Sequence, residues 1–598
     1  MTPQIALTLS IVVIAVVLFA TEKLRVDVIA LIVLLSVALA GLVSPEEVFA
    51  GFANPAVITV WAVYMVSGGL FKTGVADLLG RGILRLAGTS QPRLVAVIML
   101  TCGIISGFMN NVGATAVLLP AVVGISRRTK VPVSKLLIPL SFSSLLGGKL
   151  TLIGTPANIL GTGILADRGL PTFTFFEFTP IGAIFLATGV VYMVLVGRHL
   201  LPVRRPPDPS GVAYQLRGYV SEAKVTSASR LVGRTLLESR LGAEYELTVL
   251  AIERNGTAQA ALSPDTRFQA GDVLVVEGAA QNLIRARDAL RLTIDAEGTT
   301  ELEQHLEQRL DNDQVHLAEA TLAPRSSMAG RTLSETGFRN RYGFSVLAIW
   351  RYGEVIVQSL RDVRLAFGDT LLLQGPRHRL PALQDGKDFL VLEPIALELR
   401  LPAKAPIALA IMCLVLGLVL VGGLHISTAM VIGAVLMVLT GCLAMDEAYQ
   451  SVDWRTVFLV AGMLPLGTAM ESTGAARFLA DLLLGAVGGL GPRAALAGIY
   501  VLVALITQPM SNAAAVVLIT PIAIDTALSI GADPKPFVLA VVLGAATAFL
   551  TPVGHKANVL VFGPGGYRFL DYTRVGAPLT LALLVVTMIC VPILWPLF

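Results

Sequence analysis

The chain has 598 residues, 55% of them hydrophobic and only 14% charged, with a mean hydropathy of +0.75 and a formal net charge of +4. This composition excludes an ordinary soluble protein, because many of its apolar runs approach the length that crosses a bilayer. The net charge says little about partners, and no long basic run suggests nucleic acid, so none is expected as a partner.

The apolar runs cluster at 4–200 and 404–598. A charged, mixed stretch of roughly 200 residues separates them, enough for one or two small soluble domains. Segment 4–20 lacks a basic leader and is followed at once by a second apolar segment, so it reads as a retained span. Cys102, Cys413, Cys442 and Cys590 lie in apolar segments without metal-ligand spacing, and packing is their expected use.

In chain order the first membrane region offers elements at 4–20, 26–43, 55–71, 94–125, 133–165 and 176–198. The second offers 404–422, 426–443, 455–471, 494–526, 536–565 and 576–597. The two regions are copies. Gly154-Thr155-Pro156-Ala157-Asn158-Ile159-Leu160 returns 400 positions later as Gly554-His555-Lys556-Ala557-Asn558-Val559-Leu560. Met109-Asn110-Asn111, with Pro120 beyond it, returns as Met510-Ser511-Asn512 with Pro521. Gly41 matches Gly441, Thr73-Gly74 matches Thr473-Gly474, and Glu46-Glu47 matches Asp446-Glu447. Register held over this distance marks an internal duplication. The matched acidic pairs at helix starts read as N-terminal caps.

Positive charge sets the expected orientation. Lys72, Arg81, Arg85 and Arg93 occupy loop 72–93, whereas its copy 472–493 has only Arg477 and Arg493. Arg127, Arg128, Lys130 and Lys135 occupy loop 126–135, whereas 527–536 has only Lys535. The first-half loops therefore read as cytoplasmic and their copies as external, which is an inverted repeat. Segment 94–125 then enters and leaves on one side, so it reads as a re-entrant hairpin with Asn110-Asn111 near its tip. Segment 494–526 is its counterpart, with Ser511-Asn512 near the tip. The fold class expected is a polytopic α-helical membrane protein of two inverted repeats, each with five spans and one hairpin.

The middle region repeats internally at an offset of 97. Gly233-Arg234-Thr235-Leu236 matches Gly330-Arg331-Thr332-Leu333, and Val249-Leu250-Ala251-Ile252 matches Val346-Leu347-Ala348-Ile349. Arg267, Gly271, Asp272 and Gly278 match Arg364, Gly368, Asp369 and Gly375. Each unit reads as α/β with short strands, turning at Asn255-Gly256 or Tyr352-Gly353. The Gly-Arg-Thr-Leu and Arg…Gly-Asp positions read mainly as turn chemistry. The domains are 1–200, a first membrane repeat; 201–215, a linker; 216–295 and 317–393, the two soluble units, joined by linker 296–316; and 394–598, the second repeat. Arg198, Arg204 and Arg205 place the insert, 201–403, in the cytoplasm.

Polar, Gly- and Pro-interrupted membrane segments in matching places of two halves point to a transporter's binding site. A lone membrane Asn usually glues helices together; four matched breaks argue for a site. Half-helix N-termini turn free N–H groups toward an anion. The anion-binding candidates are Asn110, Asn111, Val112, Ser511, Asn512, Ala513, Thr155, Pro156 and Lys556. Unwound carbonyls and amide oxygens suit a hard cation such as Na⁺. The candidates for it are Asn111, Thr151, Gly154, Asn158, Asn512, Thr551, Gly554 and Asn558. Lys149 and Lys556 stand beside the loops at membrane depth, where a charge costs at least ~2.5 kcal/mol and usually serves a function. Lys149, Lys556 and His555 are therefore candidates to replace a coupling cation, Lys556 first, as the residue in the place of Pro156.

On the hairpin tips, the Gly-Thr-Pro-Ala-Asn loop and the run from Thr551-Pro552 to Tyr567 with its Gly563-Pro564-Gly565-Gly566, the chain resembles the divalent anion:sodium symporter family of dicarboxylate and sulfate carriers. The insert resembles two RCK-C domains, the ligand-binding units of potassium-conductance regulators. The resemblance implies a homodimer in the bacterial inner membrane, a rigid scaffold with a moving substrate domain, Na⁺ coupling, and a regulatory nucleotide or ion on the insert. The family's Ser-Asn-Thr tips here read Asn110-Asn111-Val112 and Ser511-Asn512-Ala513, so both Thr hydroxyls are replaced. That shifts the expected substrate from dicarboxylate toward a sulfate-like oxyanion. A sensor that binds the anion without moving it is the alternative. A potassium channel is disfavoured by the lack of a Thr-Val-Gly-Tyr-Gly filter. An enzyme is disfavoured because no nucleophile–base constellation, metal cluster or phosphate loop stands out.

Overall fold

The computed structural model describes residues 2–21, 24–75, 88, 90–129, 131–203, 402–487 and 491–598 of the two membrane regions. Between them it describes 220–245, 247–254, 257–259, 265–277, 280–294, 315–322, 326–351, 354–356, 360–376, 379, 383 and 388–391. Arg81, Arg85, Lys130, Arg204 and Arg205, both Asn/Tyr-Gly turns of the insert, Gly278 and most of the linkers lie outside the described residues. The chain divides into two compact units, Met1–Val203 with Leu397–Phe598, and Arg204–Ala396.

The described secondary structure of the first unit is helical. Among the described residues, four helical stretches are long and apolar enough to cross a membrane: Pro45–Lys72, Thr179–Leu200, Asn512–Ser529 and Phe569–Leu594. Shorter apolar helices accompany them. Apolar side chains such as Leu39, Val421, Leu439 and Ile593 are exposed, which suits a surface facing lipid. The duplicated acidic residues cap short helices. Ser44 and Glu47 form a reciprocal capping box at Pro45–Ala50, and Glu447 reaches back to the Ala444 N–H at 2.7 Å.

One element differs from the sequence expectation. Loop 472–493 contains a helix, Ala475–Val487. Ala475, Ala476 and Ala480 are buried and Leu482 is exposed, so one small-residue face packs while the other stays outside. Segment 133–165 is two helices, Leu137–Gly147 and Pro156–Asp167, separated by an irregular loop. Its copy likewise splits into Pro534–Ala545 and Lys556–Phe562.

The halves interlock through backbone-directed side chains. The Tyr567 hydroxyl donates to the Ser134 carbonyl at 2.6 Å and accepts from the Ile138 N–H at 3.0 Å. Arg168, at the end of Pro156–Asp167, bridges Asp525 at 2.6 Å and Glu471 at 3.1 Å in the second half.

The insert contains two five-stranded sheets. Strands β1 (Val220–Val225), β2 (Thr248–Arg254), β3 (Thr257–Gln259), β4 (Val273–Glu277) and β5 (Leu292–Ile294) run in the order β3-β2-β4-β1-β5. Strands β6 (Val315–Leu322), β7 (Ser345–Arg351), β8 (Glu354–Ile356), β9 (Thr370–Pro376) and β10 (Phe389–Val391) repeat it as β8-β7-β9-β6-β10. Every described pairing is antiparallel, and only β2–β3 and β7–β8 join strands consecutive in the chain; helices such as Ala280–Leu290 and Leu333–Thr336 stand between strands, in keeping with the mixed helix-and-strand expectation. Register shifts between Val249 and Ala251 recur between Val346 and Ala348.

The repeated motifs of the insert brace its turns. Arg254 holds Asp272 through two bonds of 2.8 Å and also donates to the Arg267 carbonyl. Arg351 holds Asp369 at 2.9 and 2.7 Å and donates to the Arg364 carbonyl. Asp272 and Asp369 in turn accept from the N–H groups of Gln269 and Ala366. Burial alone would raise the Asp272 pKa; the Arg254 hydrogen bonds outweigh it and hold the carboxyl below its ordinary value.

Candidate functional site

Both hairpins restart their second arm on the asparagine marked in the sequence. Helix Gln91–Ser106 stops at Ser106, and helix Asn111–Thr129 follows the turn. Helix Pro492–Ile506 is followed in the same way by Asn512–Ser529. Ser106 Oγ lies 2.8 Å from Asn111 Oδ1 and 2.8 Å from the Ser144 carbonyl. Thr507 Oγ1 lies 2.8 Å from Asn512 Oδ1 and 3.0 Å from the Ala545 carbonyl. One hydroxyl proton thus faces two acceptors in each half, and both amide oxygens keep spare acceptor capacity.

Asn110 and Ser511 cap these arms. Asn110 Oδ1 accepts from the Val112 N–H at 3.0 Å, and Ser511 Oγ accepts from the Ala514 N–H at 3.3 Å. Asn111 and Asn512 are buried, Val112 is half-buried and Ala513 is buried.

The broken helices supply the second wall. Asn158 ties its loop together by donating to the Gly148 carbonyl at 2.9 Å and the Thr151 carbonyl at 2.8 Å. Asn558 does the same to Ala548 at 2.7 Å and Thr551 at 3.3 Å. Both side chains are fully buried. Gly154 allows close approach of backbone: a Cβ there would stand 2.6 Å from the Gly148 carbonyl oxygen. Thr151 Oγ1 donates to the Gly107 carbonyl of the hairpin, whereas Thr551 Oγ1 accepts from the Gly554 N–H at 3.0 Å. Thr155 is buried at the start of its helix, with Pro156 next to it.

The arms cross over between the halves. Helix Asn111–Thr129 packs against Lys556–Phe562, and Asn512–Ser529 packs against Pro156–Asp167. Two hairpin ends and two broken helices thereby share one helical interior.

The charged candidates separate. Lys149 is fully buried and its Nζ donates to Asn158 Oδ1 at 3.0 Å. Lys556 is placed elsewhere than expected. Its Nζ pairs with Asp453 at 2.8 Å and its side chain is 67% exposed, so the carboxylate draws it out of the loop. His555 is a helix cap: its Nδ1 accepts from the Ala557 N–H at 3.1 Å, which requires a free lone pair on that nitrogen and leaves it unsuited to stand in for a cation.

Gln508, Asp453 and Arg168 were not marked by the sequence reading. Gln508 lies in the hairpin turn, where its Nε2 donates to the Ala504 carbonyl at 2.8 Å and the Thr547 carbonyl at 3.0 Å. The hairpins align at an offset of 401, which puts Gly107 opposite Gln508. A search for duplicated polar residues passes over such a position; a search for polar residues gained in one copy would find it.

Interrupted helices with paired polar turns, set in a largely apolar helical unit, are the architecture of a membrane transporter. The model of the citrate transporter family (CitMHS) matches residues 16–544, and the chain belongs to that family. It is similar to an uncharacterized transporter, sll0640, of Synechocystis sp., at 38% identity over 99% of this chain and 97% of the relative. The uncharacterized transporter YfbS of Escherichia coli is 32% identical over the full length of both. Sodium/sulfate cotransporter 1 of Chlamydomonas reinhardtii is 23% identical over 91% of this chain and 84% of the relative. Like its relatives, the chain is a transporter and a membrane protein.

Proposed function

We propose that the chain is a secondary active carrier of small divalent oxyanions, sulfate before dicarboxylate, driven by Na⁺. The observation that carries this reading is the hairpin tip. Buried Asn111 and Asn512 start helices there, while positions 112 and 513 are Val and Ala. Helix N-termini and amide groups suit a compact anion, and the missing hydroxyls remove donors that a longer dicarboxylate would use. The similarity to a sodium/sulfate cotransporter supports the same choice.

In this reading Asn110–Val112, Ser511–Ala513, Thr155 and Pro156 line the anion site. The amide and backbone oxygens around Asn111, Thr151, Gly154 and Asn158 line one cation position, and those around Asn512, Thr551, Gly554 and Asn558 line the other. The two membrane regions are an inverted repeat of five spans and one hairpin each. The protein is a homodimer in the bacterial inner membrane, its hairpins and broken helices moving as an elevator against a static scaffold. The insert, two RCK-C-like domains in the cytoplasm, adjusts the rate on binding a nucleotide or ion. The duplicated sheets and matched Arg–Asp braces support a pair of equivalent regulatory units.

Uptake into proteoliposomes tests this. An inward Na⁺ gradient should drive accumulation of labelled sulfate, with succinate, citrate, phosphate and arsenite competing more weakly. Binding without accumulation of any of these anions would favour the sensor, and preferred uptake of citrate would overturn the assignment of sulfate.

A further inference from the structure

The two copies of the cation loop are built to hold different things. In the first, Asn158 Oδ1 accepts from the Lys149 ammonium, both residues being fully buried. The position matching Lys149 in the second copy is Phe549. Backbone packing shows the equivalence. A Cβ on Gly182 would collide with the Lys149 carbonyl oxygen at 2.2 Å, and one on Gly576 with the Phe549 carbonyl oxygen at 2.1 Å. The Phe549 ring turns away to pack against Phe142, with centroids 4.7 Å apart.

Asn558 therefore loses the donor that Asn158 has. Its Nδ2 is committed to two carbonyls, which fixes where Oδ1 points. Among the described residues, Asn558 Oδ1 and Gln508 Oε1 are buried side-chain oxygens with no hydrogen-bond partner. Gln508 is oriented by its own two donated bonds, so its Oε1 is also fixed. Both side chains bond to carbonyls of the second loop, Gln508 from the hairpin turn and Asn558 from the helix that follows the loop. A Cβ built on Gly554 would stand 3.4 Å from Gln508 Oε1 and 3.3 Å from Thr551 Oγ1. A buried acceptor left unmade is costly; here Gln508 Oε1 lies beside the Gly554 turn, and Asn558 is tied to the same turn through the Ala548 and Thr551 carbonyls.

We propose that the Lys149 ammonium is a tethered replacement for the cation of the first loop, and that the second loop alone binds an exchangeable Na⁺, with Gln508 Oε1 and Asn558 Oδ1 as ligands. This deepens the cation-coupled reading above and rests on it. The donors are neutral oxygens, which suit a hard monovalent ion; a divalent ion would call for carboxylates. The exchange of residues is reciprocal. The first copy has Lys149 with Gly107 in the hairpin turn, and the second has Phe549 with Gln508.

Equilibrium binding of radiolabelled Na⁺ to the purified full chain, with no anion present, separates this from the transport reading. The wild type should bind one Na⁺ per chain. Gln508→Ala, or Thr551→Val should the first not fold, should weaken that binding roughly 10–100-fold. Lys149→Ala frees Asn158 Oδ1 and should raise the count toward two, through a weaker second site. A wild-type count of two or of none overturns the proposal, as does unchanged binding in Gln508→Ala. A count that stays at one in Lys149→Ala, with anion affinity lost instead, would assign the ammonium to the substrate. Sulfate transport by a chain that binds no Na⁺ would sink this inference and leave the carrier assignment standing.

Discussion

The loop at 148–155 and its copy at 546–555 come from one duplicated sequence, and each is stitched by an asparagine donating to two carbonyls. They differ in what meets the asparagine oxygen. A buried ammonium meets it in the first half, and among the described residues nothing does in the second. The scaffold was copied faithfully while the charge it surrounds was not. On the proposed reading, the chain keeps two matched broken helices and assigns one to structure and the other to an exchangeable ion.

The comparison breaks most visibly in the two asparagines. Asn158→Ala would leave the buried Lys149 Nζ without its hydrogen-bond partner, at a cost of about 3 kcal/mol. Asn558→Ala removes hydrogen bonds without stranding a charge and should cost about 1–2 kcal/mol. Thermal denaturation of the purified protein in detergent reads the difference, and a larger loss for Asn558→Ala would reverse the assignment of the two loops. The same pair should part in the opposite sense in Na⁺ binding, which only Asn558→Ala should weaken.

Arg168 sharpens the contrast between the halves from another direction, since it joins the first broken helix to Asp525 and Glu471 of the second half. Its side chain is 9% exposed, so Arg168→Ala should destabilise by about 3 kcal/mol by stranding Asp525. Asp525→Asn in the same background should recover part of that loss.

In the insert the same Arg–Asp brace appears twice. Arg254→Ala and Arg351→Ala should each lower the stability of the insert by about 2 kcal/mol, since each strands a buried carboxylate. The first brace also predicts a pH dependence. A carboxyl held below its ordinary value in the folded state stabilises fully above the unfolded value, and that contribution is lost as pH falls through the folded one. The Asp272 contribution should therefore be constant at neutral pH and decline in acid, and Asp272→Asn should remove that decline.

The smallest effect is expected at Lys556. Lys556 is the exposed partner of Asp453, whose carboxylate is 24% exposed and keeps the Thr456 hydroxyl as a donor, so Lys556→Ala should lower stability by about 1 kcal/mol. Na⁺ binding should stay at the wild-type count, in contrast with Lys149→Ala.

Much of the backbone around the candidate site was legible because it is made of local signals. Gly, Pro and Asn mark where a membrane helix cannot continue, and helices do restart at Asn111, Asn512, Pro156 and Lys556. The insert's repeat at 97 residues reappears as two sheets of the same order, because turn residues and alternating apolar runs fix short antiparallel strands. Helix Ala475–Val487 was not legible, because its short amphipathic run carries too little hydropathy to stand out beside true membrane segments.

The sequence by itself determined the membrane class, the duplication and the positions of the breaks, all of which follow from composition and local backbone chemistry. Only the tertiary structure decided which charge stands where. Lys149 and Lys556 look alike in the sequence, each beside a broken helix. One meets an amide oxygen nine residues away and is sealed in, while the other meets Asp453, 103 residues away, and is drawn outward. Gln508 gained its meaning the same way, because an unpaired oxygen can be recognised only once every possible partner has been placed around it.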